Sequence, residues 1–175
     1  MKKRRILIIS ILLHTLLLVT VYVFQGAILP FMRLGGLVPL LLPVASTGVA
    51  LYEGRDIGGL TGLFAGVLCD ISFNEPIGAF TVLLTLTGLC IGALSDAAIV
   101  PGFVTYYLSC FAVLIASTFV QMFPLIVLQN IPVQLLMATA IQQNIYSLVL
   151  ALPIWFFVRA LGRRLERLSS PGRTA

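Results

Sequence analysis

Charged side chains are scarce in this chain. Of its 175 residues only 10% are Asp, Glu, Lys or Arg, whereas 59% are hydrophobic. A soluble domain usually carries about 25% charged residues, and six acids with eleven basic residues cannot cover the surface of a water-soluble protein of this length. The scarcity of charge, with a mean hydropathy of +1.09, excludes a cytosolic enzyme, a nucleic-acid-binding domain and a disordered regulator. It predicts an integral membrane protein.

The residues from which catalytic and metal sites are built are also few. His14 is the only histidine, and Cys69, Cys90 and Cys110 lie in apolar runs without C-x-x-C spacing. The chain contains no H-E-x-x-H motif, no P-loop and no strand-linked G-x-G-x-x-G motif. We therefore expect no cofactor, no metal site and no enzymatic activity. His14 is expected to make a polar contact inside the helix bundle.

Apolar runs of about 20 residues indicate transmembrane helices, and six such runs fill most of the chain. The sequence predicts spans over residues 6–29, 37–52, 57–71, 77–94, 103–128 and 133–157, followed by a basic cytoplasmic tail over 158–175. Helix 2 is short and is interrupted by Pro43. The expected fold is therefore an all-α compact bundle of six transmembrane helices. Five spans, with helices 2 and 3 as a re-entrant pair, are the alternative.

The basic residues give an independent test of the span number. They cluster at both ends of the chain, at residues 2–5 and at Arg159, Arg163, Arg164, Arg167 and Arg173. Lys and Arg favour the cytoplasmic side of a membrane. Six spans with both termini in the cytoplasm put both clusters and Arg55 inside. Ten of the eleven basic residues then lie inside and only Arg33 lies outside. Five spans would leave one basic cluster outside.

Small residues recur every four positions along predicted helices 3 and 4. They are Gly58, Gly62 and Gly66 on helix 3, and Gly88 and Gly92 on helix 4. Residues at this spacing share one face of a helix, and small residues let membrane helices approach closely. We expect this face to pack against another helix, either within the bundle or in a partner chain.

An aspartate ends each of these two glycine-containing helices. Asp70 follows Gly66, and Asp96 follows Gly92. The carboxyl end of a helix disfavours a negative charge, so each aspartate should need water, a cation or a capping role in the next turn. The two aspartates are expected on opposite sides of the membrane. Asn74 or Glu75 is expected to cap helix 4.

Helix 6 carries two further polar features. Gln142, Gln143 and Asn144 lie near its midpoint, and Gln142 is predicted to point into the bundle, as a helix contact or as a ligand contact. Beyond residue 157 the helical pattern continues with basic residues, namely Arg159, Arg163, Arg164 and Arg167. Such a basic amphipathic segment is expected to contact anionic lipid headgroups or, alternatively, a cytoplasmic partner.

These residues together resemble the rod-shape-determining protein MreD family. The resemblance rests on the stretch from Glu53 to Gly59, the run from Gly62 to Asp70, and Pro76-Ile77-Gly78. The last helix, from Asn144-Ile145-Tyr146 to the arginine-rich tail, is also similar to the family.

The resemblance implies a non-enzymatic component of the bacterial cell-elongation machinery in the cytoplasmic membrane. Family members work with MreC, with the actin-like MreB and with peptidoglycan synthases of the side wall. Their fold is similar to that of the substrate-binding subunits of energy-coupling-factor vitamin transporters. By transfer onto matching positions, the residues expected to shape helices 3 and 4 and the outer loop between them are Gly58, Gly62, Gly66, Asp70 and Gly78.

The alternative function is that of a vitamin-binding transporter subunit. Such subunits carry a small-residue face on helix 1, but this chain has no alanine before Ala27. The loop between helices 3 and 4 also offers few aromatic or polar side chains beyond Phe73 and Asn74 with which to hold a vitamin. A third possibility, a membrane enzyme such as a lipid phosphatase, is disfavoured by the missing acid–base residues.

Overall fold

The computed structural model describes residues 2–27, 39–73, 78–97, 102–129 and 133–169. These residues form six α-helices and contain no strand, which confirms the expected all-α fold. The helices are α1 (Lys2–Ala27), α2 (Leu41–Glu53), α3 (Arg55–Phe73), α4 (Ala79–Ala97), α5 (Phe103–Gln129) and α6 (Val133–Ser169).

The short helix α2 lies at the centre of the bundle. It contacts all five other helices, and every residue from Leu41 to Leu51 is buried. The main hydrophobic core surrounds it and includes Phe80 of α4, Tyr106 of α5 and Val158 of α6. A second, smaller cluster joins α5 to α6 through Met122, Leu136 and Ala140.

Neighbouring helices hold the start of α2, which has no side-chain cap of its own. The N–H of Leu40 donates to Ser147 Oγ at 2.9 Å, and the N–H of Leu41 donates to Gln25 Oε1 at 3.1 Å. Pro43 lies in the first turn of α2, where a backbone N–H has no partner within the helix. The prediction that Pro43 interrupts helix 2 is therefore wrong.

The predicted and observed helix ends differ at the start of α2 and agree at the end of α6. Helix 2 was expected from residue 37, whereas α2 begins at Leu41 and residues 28–38 lie outside the described ranges. The last span was expected to end at residue 157, with the helical pattern continuing into the basic segment beyond it, and α6 does continue without a break to Ser169. Its backbone hydrogen bonding does not depend on hydropathy, so the change from apolar to basic residues does not end the helix.

Four of the six helices are long and apolar enough to cross a membrane. Among the described residues the candidate spans are Ile9–Ala27, Ala79–Ala97, Phe103–Phe123 and Leu136–Gly162. With 13 residues, α2 extends about 20 Å, which is less than the roughly 30 Å of a hydrocarbon core. The 19-residue helix α3 carries Arg55, Asp56 and Asp70.

Candidate functional site: a glycine interface between α3 and α4

The helices α3 and α4 form the most extensive helix pair of the bundle. A Cβ atom on Gly62 would lie less than 3.0 Å from the carbonyl oxygen of Leu84, and one on Gly66 would overlap the Cα of Thr81. Real Cβ atoms essentially never approach other atoms so closely, and the atoms in the way belong to the backbone of α4. The glycine face of α3 is therefore filled by α4 of the same chain.

A sequence repeat underlies this interface. Residues 60–70 read L-T-G-L-F-A-G-V-L-C-D, and residues 86–96 read L-T-G-L-C-I-G-A-L-S-D. When the two segments are aligned, seven of the eleven positions are identical. The recurring glycines and the two aspartates were recognised from their spacing, but the repeat that relates them was missed.

The contacts that α3 glycines make with α4 are repeated by the equivalent α4 glycines with α3. Gly62 faces the carbonyl oxygen of Leu84, and its counterpart Gly88 faces the carbonyl oxygen of Gly58, the residue that the same alignment pairs with Leu84. Gly66 packs on the backbone of Thr81, and its counterpart Gly92 packs on the backbone of Arg55 in the same way. An approximate two-fold axis thus relates α3 to α4 in this antiparallel pair.

Gly58 brings a third helix to the interface. A Cβ atom on Gly58 would lie 2.8 Å from the Cβ of Ala50 on α2 and 2.9 Å from the carbonyl oxygen of Gly88. The two-fold pair therefore packs closely against the central helix at this point.

Asp70, at the end of α3, caps the start of α4. One carboxylate oxygen accepts the N–H of Phe80 at 2.9 Å. The other accepts the N–H of Gly78 at 3.1 Å, the N–H of Thr81 at 3.1 Å and the hydroxyl of Thr81 at 2.6 Å. Asp70 is only 9% exposed. A carboxylate at a helix N-terminus satisfies free N–H groups and interacts favourably with the helix dipole.

Asp96, at the end of α4, occupies the equivalent position at the start of α3. Its Oδ2 accepts the N–H of Arg55 at 3.0 Å, and Arg55 is the repeat counterpart of Thr81. Unlike Asp70, Asp96 is exposed. Gly54 precedes Arg55 with φ of 81°, and a Cβ atom there would overlap Oδ1 of Asp96, so glycine meets both a conformational and a spatial requirement.

Gly78, which immediately precedes α4, has a backbone conformation that favours glycine. Its φ is 102°, and no atom of the described residues lies within 4 Å of where a Cβ atom would be. The left-handed backbone, rather than a close contact, therefore requires glycine here. Asn74 and Glu75, which were expected to cap helix 4, lie outside the described residues, and Asp70 provides the cap.

His14 is buried inside the bundle and has an acidic neighbour. Its Nε2 lies 3.9 Å from Oε1 of Glu53, and Ser10 donates its hydroxyl to the other carboxylate oxygen of Glu53 at 3.0 Å. Glu53 ends α2 and is distant from His14 in sequence. The contact between them was not predicted, because no local motif signals a contact between distant residues.

Gln142 does not occupy the predicted inward position, because its side chain is exposed. The inward face of α6 instead contains Ala140, Ser147 and Ala151, which are buried. Asn144 binds a neighbouring helix, since its Nδ2 lies 3.0 Å from Thr118 Oγ1 on α5. Three consecutive amides point in different directions around a helix, and the pattern alone chose the wrong one.

The side chains at the basic end of α6 are described up to Gly162. Arg159 is partly buried, and its guanidinium lies 4.6 Å from the centre of the Trp155 ring. The side chains of Arg163, Arg164 and Arg167 lie outside the described part of the chain. Their expected contact with lipid or a partner stays a prediction.

Comparison with protein-family models, with curated proteins and with solved structures gave no match. The class of the protein is therefore inferred from its own helices. Five helices pack around α2, and four of the six helices are long and apolar enough to span a bilayer. These are the features of a multi-pass membrane protein.

Proposed function

We propose that the protein is a non-enzymatic scaffold of the bacterial cell-elongation complex, similar to MreD. In this role it crosses the cytoplasmic membrane six times, with both termini in the cytoplasm. It connects MreC, MreB and side-wall peptidoglycan synthases, and the basic end of α6 contacts anionic lipids or one of these proteins.

One observation carries the proposal. The residues on which the resemblance to MreD rests are those on which the α3–α4 pair depends. Gly62 and Gly66 allow the close approach of α4, Asp70 caps α4, and Gly78 supplies the backbone conformation that the cap needs. The resemblance therefore involves residues with a physical reason to be present.

The contacts at one end of the bundle support six spans. Ser10 of α1 binds Glu53 of α2, Asp96 of α4 binds Arg55, and Gly162 of α6 packs against Tyr52. Ser10 lies about one helical turn after the basic residues 2–5 of α1, Asp96 is next to the last residue of α4, and Gly162 adjoins the basic residues of α6. The turn between α2 and α3 is thus level with these ends, whereas a re-entrant pair would turn part-way along them.

The filled α3–α4 interface narrows the choice of partner surfaces. Because the glycine face of α3 is covered by α4, a partner chain must bind elsewhere on the bundle. In the proposal, the glycines act on partners indirectly, since they set the shape of the helix pair whose outer faces remain exposed. Leu60 and Leu63 of α3 and Leu86 of α4 belong to those faces.

The test is depletion of the protein in its bacterium, followed by complementation and imaging of cell shape. We expect rounded cells on depletion, rescue by the wild type, and recovery of MreC with the protein from native membranes. Gly62→Leu should fail to rescue because it forces α3 and α4 apart. Gly26→Leu is the matched control, since no described residue has an atom within 4 Å of a Cβ atom at Gly26.

The same depletion separates this proposal from a transport function. Normal cell shape with loss of vitamin uptake would contradict the scaffold and favour a transporter subunit. A described groove of about 450 Å³ lies on α1 and is lined by Ile11, Leu12, Thr15, Leu16 and Val19. Its lining is almost entirely apolar, which makes it a poor site for a polar vitamin headgroup.

A further inference from the structure

We propose that Ser10, His14 and Glu53 form a proton-binding site where α1 meets the turn between α2 and α3. Ser10 is 3% exposed and His14 is 1% exposed, and both belong to α1. The side chain of Glu53 is 14% exposed. The cluster is therefore buried on the α1 side, and the Glu53 side chain is its most exposed part.

The hydrogen bonds of His14 define the state of its ring. Nδ1 lies 2.8 Å from the backbone carbonyl oxygen of Ser10. A carbonyl oxygen only accepts hydrogen bonds, so Nδ1 must carry a hydrogen. A neutral ring then has an unprotonated Nε2, and this nitrogen is the atom that faces Glu53 at 3.9 Å.

An unprotonated Nε2 and an ionised carboxylate are both hydrogen-bond acceptors. Two acceptors that face each other in a buried position are unfavourable, whereas one added proton removes the conflict. The added proton binds to Nε2 and gives an ion pair between the His14 ring and the Glu53 carboxylate. Binding of one proton from solvent changes the net charge of the His14–Glu53 pair from −1 to 0.

The hydroxyl of Ser10 completes the site. It lies 3.0 Å from Oε2 of Glu53 and 3.3 Å from Nδ1 of His14. Because Nδ1 already donates to the backbone, the hydroxyl donates to Glu53 and holds the carboxylate beside the ring. Ser10 and His14 lie one helical turn apart and share one face of α1, so the site joins α1 to the end of α2.

Other titratable groups at this end of the bundle have different partners. Arg55 and Asp56 of α3 are exposed, and Asp96 of α4 accepts the Arg55 N–H. Arg159 of α6 lies over Trp155, and Tyr52 of α2 packs near Gly162. On α5, Tyr106 directs its hydroxyl toward the Val44 carbonyl oxygen. Among the described residues, Glu53 is the one acid that pairs with His14.

The single histidine makes the proposal directly measurable. The full-length protein, carrying no histidine tag, is labelled with 15N-histidine and placed in lipid nanodiscs, and both ring nitrogens are followed by NMR from pH 5 to 9. We expect Nδ1 to stay protonated throughout while Nε2 titrates. Glu53→Gln should move the midpoint of that titration by about one pH unit or more, because an opposite charge within about 4–6 Å has an effect of this size.

Asp56→Asn is the matched control, since it removes a nearby acid that is exposed. Its midpoint should equal that of the wild type. An unprotonated Nδ1, or the same midpoint in Glu53→Gln as in the wild type, would overturn the proposal. If Glu53→Gln does not fold, dipolar coupling between the labelled ring and glutamate carboxyl carbons in the wild type decides, and absence of that coupling also overturns it.

Discussion

The two ends of the α3–α4 pair are built from the same sequence repeat but are stabilised differently. At one end, Asp70 is buried and accepts four hydrogen bonds from the start of α4. At the other end, Asp96 is exposed and accepts the N–H of Arg55. The repeat therefore determines where each cap lies, whereas burial determines how much each cap contributes to the free energy of unfolding.

Solvent explains the difference between the two ends. An N–H group near water can exchange a lost acceptor for a water molecule, but a buried N–H group cannot and bears the full cost of desolvation. The start of α4 includes the fully buried residue Phe80, whereas Arg55 and Asp56 at the start of α3 are exposed. Equivalent substitutions at the two ends should therefore have unequal effects.

Asp70→Ala is expected to have the largest effect of the variants considered. It leaves three backbone N–H groups and the Thr81 hydroxyl without their acceptor, and a buried unsatisfied donor costs about 1–3 kcal/mol. After partial relaxation we expect a loss of about 3–4 kcal/mol in the free energy of unfolding. The measurement is reversible unfolding in mixed detergent micelles. A loss no larger than that of Asp96→Ala would contradict the role of burial.

Gly62→Ala tests the two-fold axis itself. The added methyl group meets backbone atoms of α4, and overpacking of this kind costs about 1–3 kcal/mol. Gly88→Ala meets the equivalent carbonyl of α3, so its loss should agree with that of Gly62→Ala within about 0.5 kcal/mol. Gly26→Ala, whose new Cβ meets no atom of the part of the chain that the structure describes, should be neutral or gain up to about 1 kcal/mol from helix propensity.

Much of the fold could be predicted from local pattern. Apolar runs of about 20 residues predicted six helices in the right order because each run lies within the helix that it defines. The central position of α2 could not be predicted. Its residues are apolar on all sides, which is equally typical of a helix that faces lipid and of one buried in protein.

The candidate site was predicted only in part, and its long-range contacts were missed. The four-residue spacing of glycines predicted a close helix contact, and the structure shows α4 in that contact. The pairing of Asp70 with Thr81 and of Asp96 with Arg55 depends on the register of α3 against α4, which spacing within one helix does not specify. The repeat shared by α3 and α4 would have related the two pairs, and the His14–Glu53 contact had no such signal.

Thr81→Val should have a smaller effect than Asp70→Ala. It removes the hydroxyl that donates to Asp70 at 2.6 Å but keeps the three backbone donors, so we expect a loss of about 1–1.5 kcal/mol in unfolding free energy. Thr85→Val is the control, because the Thr85 hydroxyl donates only to the Thr81 carbonyl of its own helix. Equal losses in the two variants would show that the Thr81 hydroxyl adds nothing to the cap.

Asp96→Ala should have the smallest effect. Its carboxylate caps one exposed N–H group, and loss of an N-cap costs about 0.5–2 kcal/mol, with exposed helices at the low end of that range. We expect a loss of about 0.5 kcal/mol, measured beside Asp70→Ala under the same conditions. Arg55→Ala is the control, because it removes a side chain but keeps the backbone N–H that Asp96 accepts. Should Asp96→Ala lose as much stability as Asp70→Ala, the contribution of each cap would follow the repeat rather than the burial, and the exposed end would be as firmly joined as the buried one.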